Sequence, residues 1–167
     1  MTETVSTMTE TEQRLGLVFQ YTVEAYKVFE KLAEVLPNPI TAGMFENFAE
    51  DERGLRDLLE IKYSAGHARL KITLGADLRY LDMVEGDLSY REMTEMMIAR
   101  ERAMEKKLNE WVANGSESDR NLFHYLAATK RAHLVFLDRE LTLIQFYPQW
   151  FRREDAESLI VHGTSEE

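Results

Sequence analysis

The chain has 167 residues, no cysteine, and a net charge of −10 with a pI near 5.0. That length predicts a single domain over residues 1–167 with a core that needs no staple, and the absence of thiols excludes disulfides, thiolate metal sites and cysteine nucleophiles. The acidic balance argues against nucleic acid or an anionic membrane as a partner. The opening MTETVSTMTETEQ shows neither the basic nor the apolar region of a signal peptide, and no apolar run approaches a bilayer span, so a cytoplasmic protein is expected.

Few glycines, three prolines and an abundance of Glu, Leu, Ala, Met and Arg favour helix throughout. Thr9-x-x-Glu12 has the form of a capping box and predicts a first helix from there to about Leu36. Its apolar stripe is Leu15, Val18, Thr22, Ala25, Phe29, Leu32 and Leu36. Pro37-Asn38-Pro39 ends that helix and restarts the next, with Asn38 as cap and Pro39 at the first position. The second helix carries Phe45, Phe48, Glu52, Leu55 and Leu59 on one face and is expected to end near Gly66. A long connection from about Gly66 to Gly86, with a short helix at 77–84, suits a crossover along a bundle. Ser89-x-x-Glu92 predicts the start of a third helix bearing Met93, Met97, Glu101, Met104, Leu108 and Trp111. Asn114-Gly115-Ser116 stops it, and Asp119 is the expected cap of a fourth helix with Leu122, Leu126, Lys130, His133, Leu137, Leu141 and Ile144. An aromatic tail, Phe146 to Phe151, precedes a short C-terminal helix through Ile160. The tail can cap the open end of the bundle or meet a second copy in a homodimer. Residues 1–8 and 163–167 are expected to fray.

The two halves repeat. Thr22, Ala25, Phe29 and Leu32 match Glu101, Met104, Leu108 and Trp111 at an offset of 79 residues, and Phe45-x-x-Phe48-Ala49-x-x-Glu52-x-x-Leu55 matches Phe123-x-x-Leu126-Ala127-x-x-Lys130-x-x-His133 at 78. Two hairpins joined by a crossover predict an all-α four-helix bundle with approximate internal two-fold symmetry. In each stripe the polar interruption falls near mid-helix, so Thr22, Glu52, Glu101, Lys130 and His133 should meet in one buried layer. Buried charges are rare unless paired or metal-bound.

The hairpin–crossover–hairpin order, together with VFEKLAE at Val28–Glu34 and FENFAEDERGLRDLLE at Phe45–Glu60, resembles the ferritin-like superfamily and, within it, the rubrerythrin-like proteins. The resemblance covers roughly residues 10–145. It implies two irons between the helices, held by a Glu from the first and third helices and a Glu-x-x-His from the second and fourth. Carried across, the six ligand positions fall on Thr22, Glu52, Leu55, Glu101, Lys130 and His133. Glu52, Glu101 and His133 keep ligand chemistry; Thr22, Leu55 and Lys130 do not. Glu24 is an off-register substitute for the first-helix ligand.

Three occupancies of the layer follow: a di-iron centre, one iron on two carboxylates and an imidazole, or a metal-free layer in which Lys130 neutralises a carboxylate. An active protein would be a non-haem iron oxidoreductase of ferroxidase or peroxidase type. The alternative is a non-catalytic dimeric bundle acting through its surface. His67, His124 and His162 are isolated, and Met93, Met96, Met97 and Met104 at helical spacing are expected core. Glu50, Asp51 and Arg53 are expected to be solvated, with Glu52 alone of that run turned inward. No phosphate loop, nucleophile elbow or paired-histidine zinc motif is present.

Overall fold

A computed structural model describes residues 9–63, 90–156 and 160. Within them the chain forms four helices: α1 (Glu10–Val35), α2 (Pro39–Tyr63), α3 (Tyr90–Asn114) and α4 (Glu117–Phe146). A 3₁₀ turn at Trp150–Arg152 follows, and Ala156 and Ile160 are helical. The described residues contain no strand, and none of their helices is long and apolar enough to cross a membrane. The expected crossover and its short helix at 77–84, the capping serine at 89, and most of the expected last helix lie outside the described residues.

The ends of the helices follow local chemistry. Thr9 and Glu12 form a reciprocal capping box: the Thr9 hydroxyl accepts from the Glu12 amide at 3.2 Å, and Glu12 accepts from the Thr9 amide at 2.9 Å. Asn38 Oδ1 accepts from the amides of Ile40 and Thr41 at 2.9 and 3.2 Å, which caps α2 with Pro39 in its first position. One expectation is corrected. α4 starts at Glu117, and its cap is Ser116, whose hydroxyl accepts from the Asp119 amide. Asp119 already lies in the first turn and instead accepts from Ser116 and from Thr11 of α1. The turn is tight enough to demand glycine before it, since a Cβ on Gly115 would sit 2.8 Å from the carbonyl oxygen of Trp111.

α1 packs along α2 and α3 along α4, and α2 meets α4. The hydrogen bond from Thr11 to Asp119 joins the starts of α1 and α4. At the opposite end, Thr41 and Tyr90 both reach Glu140, which brings the starts of α2 and α3 together. α2 and α3 therefore run parallel. The expected stripes are the core: Leu32, Phe45, Leu108, Phe123, Leu126 and Leu137 are fully buried. Met93, Met97 and Met104 pack among them, as their spacing predicted, whereas Met96, expected there too, is only half-buried and lies outside the core cluster.

Trp150 and Phe151 of the aromatic tail close the end of the bundle, while Phe146 and Tyr147 stay exposed. Trp150 is 1% exposed, its carbonyl accepts from Asn38 Nδ2 at 2.6 Å, and Phe151 stacks near Tyr90 at 4.5 Å between centroids. Beneath it lies a buried carboxylate, Glu140, which accepts from Thr41 (2.7 Å), Tyr90 (3.2 Å) and the Trp150 indole (3.2 Å). These three donors are neutral. Burial therefore prevails and pushes the Glu140 carboxyl above its ordinary range, although the hydrogen bonds oppose it.

Two outcomes test this clamp. Asn38→Ala removes a helix cap and the anchor of the tail together, and should cost about 2–3 kcal/mol in urea denaturation. Because Glu140 holds its proton to higher pH than the unfolded chain does, its contribution is complete below about 4.5 and is lost as pH rises through the folded value. Glu140→Gln should therefore flatten the pH dependence of stability above about pH 4.5, measured by urea midpoints, relative to the parent.

Candidate metal centre

Spacings of three and four residues carry the polar interruptions of each stripe inward to one level. Glu52 from α2, Glu101 from α3, and Lys130 and His133 from α4 are each at most 1% exposed and lie together. The Lys130 ammonium donates to Glu52 Oε1, and stands 3.7 Å from Glu101 Oε2. Tyr21 of α1 donates to Glu101 Oε1 at 2.8 Å, and its ring faces the Lys130 ammonium at 4.9 Å. His133 lies against Phe48 at 4.2 Å between centroids and meets Phe29 edge-on. Its Nδ1 faces Glu52 Oε1 at 3.6 Å and Glu101 Oε2 at 3.5 Å, while Nε2 bonds Asp51 at 3.0 Å.

Burial opposes every charge in this layer, and the neighbours decide the outcome. Burial pushes the Glu52 carboxyl above its ordinary range, an effect that Lys130 only partly offsets. At Glu101 burial pushes the same way, but Lys130, His133 and the Tyr21 hydrogen bond prevail and hold the carboxyl below that range. Burial also disfavours the cationic forms of Lys130 and His133. Glu101 and Glu52 overcome it at Lys130, Asp51 and Glu101 overcome it at His133, and both groups are held protonated above their ordinary values. The tyrosine is driven well above its own by burial and by the two carboxylates.

The sequence-predicted ligands come together as a set. Glu52, Glu101 and His133 each offer one donor atom within 4.8 Å of the other two. The same three residues also hold the buried side-chain atoms that lack a hydrogen-bond partner among the described residues: Glu52 Oε2, Glu101 Oε2 and His133 Nδ1. Glu101 Oε2 and His133 Nδ1 face each other at 3.5 Å, so either a proton on the imidazole or a cation can fill the gap between them. Ligands about 2.1 Å from a tetrahedral metal lie about 3.4 Å apart, close to the 3.5 Å between His133 Nδ1 and Glu101 Oε2, whereas the 3.6 Å contact to Glu52 is made to Oε1, the oxygen that Lys130 already holds. The donors thus fit one cation with modest side-chain adjustment. Two oxygens and one nitrogen suit iron or another first-row metal.

The remaining ligand positions are filled otherwise. Thr22 returns its hydroxyl to the Val18 carbonyl at 2.9 Å within its own helix, and Leu55 is apolar core. Glu24 is buried but stands apart from the cluster, ion-paired with Arg100 at 2.8 Å. His124 is exposed, and the histidines at 67 and 162 lie outside the described residues. Two contributors were not anticipated. Tyr21 lies three residues after Val18, on the edge of the α1 stripe, so its inward turn was legible from helical spacing. Asp51 was expected to be solvated; its side chain is 53% exposed, yet it reaches back to His133. No periodicity signals that contact, because Asp51 points along the bundle's seam.

No family model, curated protein or solved structure matches this chain. What fold and site define is an all-α four-helix bundle with a buried carboxylate–ammonium–imidazole layer.

Removing the ammonium alone tests the layer. Lys130→Met should cost about 3–5 kcal/mol at neutral pH by stranding buried carboxylate charge, and a second change, Glu52→Gln, should restore a large part of it. Chemical denaturation of the two variants measures both; a single variant as stable as the parent would contradict a buried ion pair.

Proposed function

We propose that this protein is a rubrerythrin-like bundle that retains part of a di-iron site and holds a single iron at Glu52, Glu101 and His133. The observation that carries this reading is the coincidence of the three unpartnered buried atoms with the three retained ligand positions. The surroundings of His133 support it further. Asp51 accepts only, so Nε2 carries hydrogen, and a neutral ring then turns the Nδ1 lone pair toward two carboxylates. That arrangement is repulsive unless a cation or a proton lies between. The carboxylate behind the imidazole is the arrangement that orients and strengthens a histidine ligand.

Iron held there would supply redox chemistry with oxygen or peroxide. The chain's own residues set its limits. Tyr21 holds one oxygen of Glu101, leaving the other turned to the centre. Lys130 occupies one oxygen of Glu52 and adds a positive charge, which opposes a second metal. The aromatic faces of Phe48 and Phe29 keep the imidazole in place.

One observation favours a second reading. The Lys130 ammonium already pairs with Glu52 and lies within 4 Å of Glu101. With His133 as imidazolium, the layer compensates its own charges and the bundle acts without metal, through its surface and as a homodimer. Metal analysis separates the two. Protein loaded with ferrous iron under anaerobic conditions and desalted should keep about one iron per chain, and Glu101→Ala should keep none. Parent protein that retains no more iron than Glu101→Ala would establish the metal-free layer instead.

A further inference from the structure

Outside the core layer, a groove of about 340 Å³ runs along the seam between α2 and α4. That volume lies at the lower end of the range for small-molecule sites. Ile40, Met44, Phe48 and Phe136 make its walls apolar. Its two ends are not. At one end stands Arg139, which has no ion pair among the described residues and rests its guanidinium on the Phe136 ring at 5.0 Å. At the other are Asp51, half exposed, and His133, bonded to each other. Six residues of α4 separate Arg139 from His133, a rise of about 9 Å.

The floor is kept open by a glycine. A Cβ built on Gly43 meets nothing within 4 Å, so its backbone packs against no other described element and the space beside it belongs to the groove. Glycine in mid-helix is unfavourable by about 1 kcal/mol relative to alanine. Close helix packing does not require it here. Phe136, at 43% exposed, remains a large apolar side chain facing solvent along this seam.

We propose that this groove binds a small aromatic acid: a carboxylate on Arg139, a flat ring against Phe136 and Phe48, and a hydroxyl or similar polar group at the Asp51–His133 end. The charge supports an anion at one end. A guanidinium that rests on an aromatic ring and has no ion pair among the described residues offers two parallel donors to a carboxylate. The apolar walls exclude a fully charged ligand, and the separation of the ends sets its length. Arg139, Phe136 and Phe48 lie outside the core layer, so saturable binding is expected with or without iron at Glu52, Glu101 and His133, and metal occupancy can shift the affinity only through His133.

A suitable probe is 3-(4-hydroxyphenyl)propionate, whose hydroxyl and carboxylate lie a comparable distance apart. Titration calorimetry on as-purified and on EDTA-treated protein should show saturable binding in both, at about millimolar Kd or tighter. Arg139→Gln should weaken it about tenfold or more, and 4-ethylphenol, which lacks the carboxylate, should bind the parent as weakly. Gly43→Leu should abolish binding by filling the floor. Gly54→Leu is the matched control: it lies on the same helix, its added Cβ also meets nothing within 4 Å, and it lines a different groove. It should bind as the parent does, with circular dichroism showing all variants folded. No saturation by the parent up to about 10 mM, or undiminished binding by Gly43→Leu, would overturn the proposal. Iron retention is read separately, so either conclusion can fail alone.

Discussion

Everything at the centre of this bundle is arranged around one buried ammonium. Lys130 cannot reach solvent from its position on α4, and an unpaired charge there would cost several kcal/mol. Glu52 and Glu101 supply the compensation, and each makes a demand in turn. Glu101 needs a donor for its second oxygen, which Tyr21 supplies from the opposite helix. Glu52 and Glu101 both face His133, whose far nitrogen is then tied to Asp51. The aromatic cluster of Phe29, Phe45 and Phe48 packs beside that ring. The sequence of dependencies runs outward from the charge to the packing.

The internal repeat explains why the layer is lopsided. Its equivalent positions pair Thr22 with Glu101, Glu52 with Lys130, and Leu55 with His133. A symmetric occupant at Glu52 and its equivalent would set two carboxylates against each other across the core. Lysine at one of them turns that repulsion into an ion pair. The consequence is that α3 and α4 supply three of the four polar groups, while α1 contributes Tyr21 from beside the position that repeats Glu101. The end of the bundle solves the same problem differently. Glu140 is also buried, but it meets only the hydroxyls of Thr41 and Tyr90 and the Trp150 indole. Among the described residues no ammonium pairs with it as Lys130 pairs with Glu52, and burial holds its carboxyl above the ordinary range.

Much of this was legible because helices write their faces into the sequence at spacings of three and four. The stripes through Phe45 and Phe123 located the core layer, and the Asn38-Pro39 and Thr9-x-x-Glu12 signatures located two helix starts. The resemblance at Val28–Glu34 and Phe45–Glu60 selected Glu52, Glu101 and His133 from thirty acidic residues and four histidines. What escaped were contacts between helices at the edge of a stripe. Asp51 reads as one more charge on an acidic face until α4 places His133 beside it. Asp119 was the expected cap, but Ser116 lies one turn earlier and its hydroxyl reaches the Asp119 amide. Glu140 falls three residues after Leu137, on the buried side of α4, yet its donors come from the starts of α2 and α3 and from the tail folding back at Trp150.

The core layer and the seam share one residue pair. His133 has one nitrogen among the buried carboxylates and the other on Asp51, and Asp51 is half in solvent at the end of the groove. The imidazole is the one side chain of the layer that also lines the seam; Glu52, Glu101 and Lys130 are buried and do not line it. Any change at Asp51 alters the hydrogen bond that orients Nδ1 toward Glu52 and Glu101. A ligand that takes a hydrogen bond from this pair acts on the interior electrostatics without entering the core. Conversely, a cation among the carboxylates strengthens the Nε2 donor that Asp51 accepts. The coupling is short and passes through one ring, so Asp51 is the position where the surface and the buried layer respond to each other.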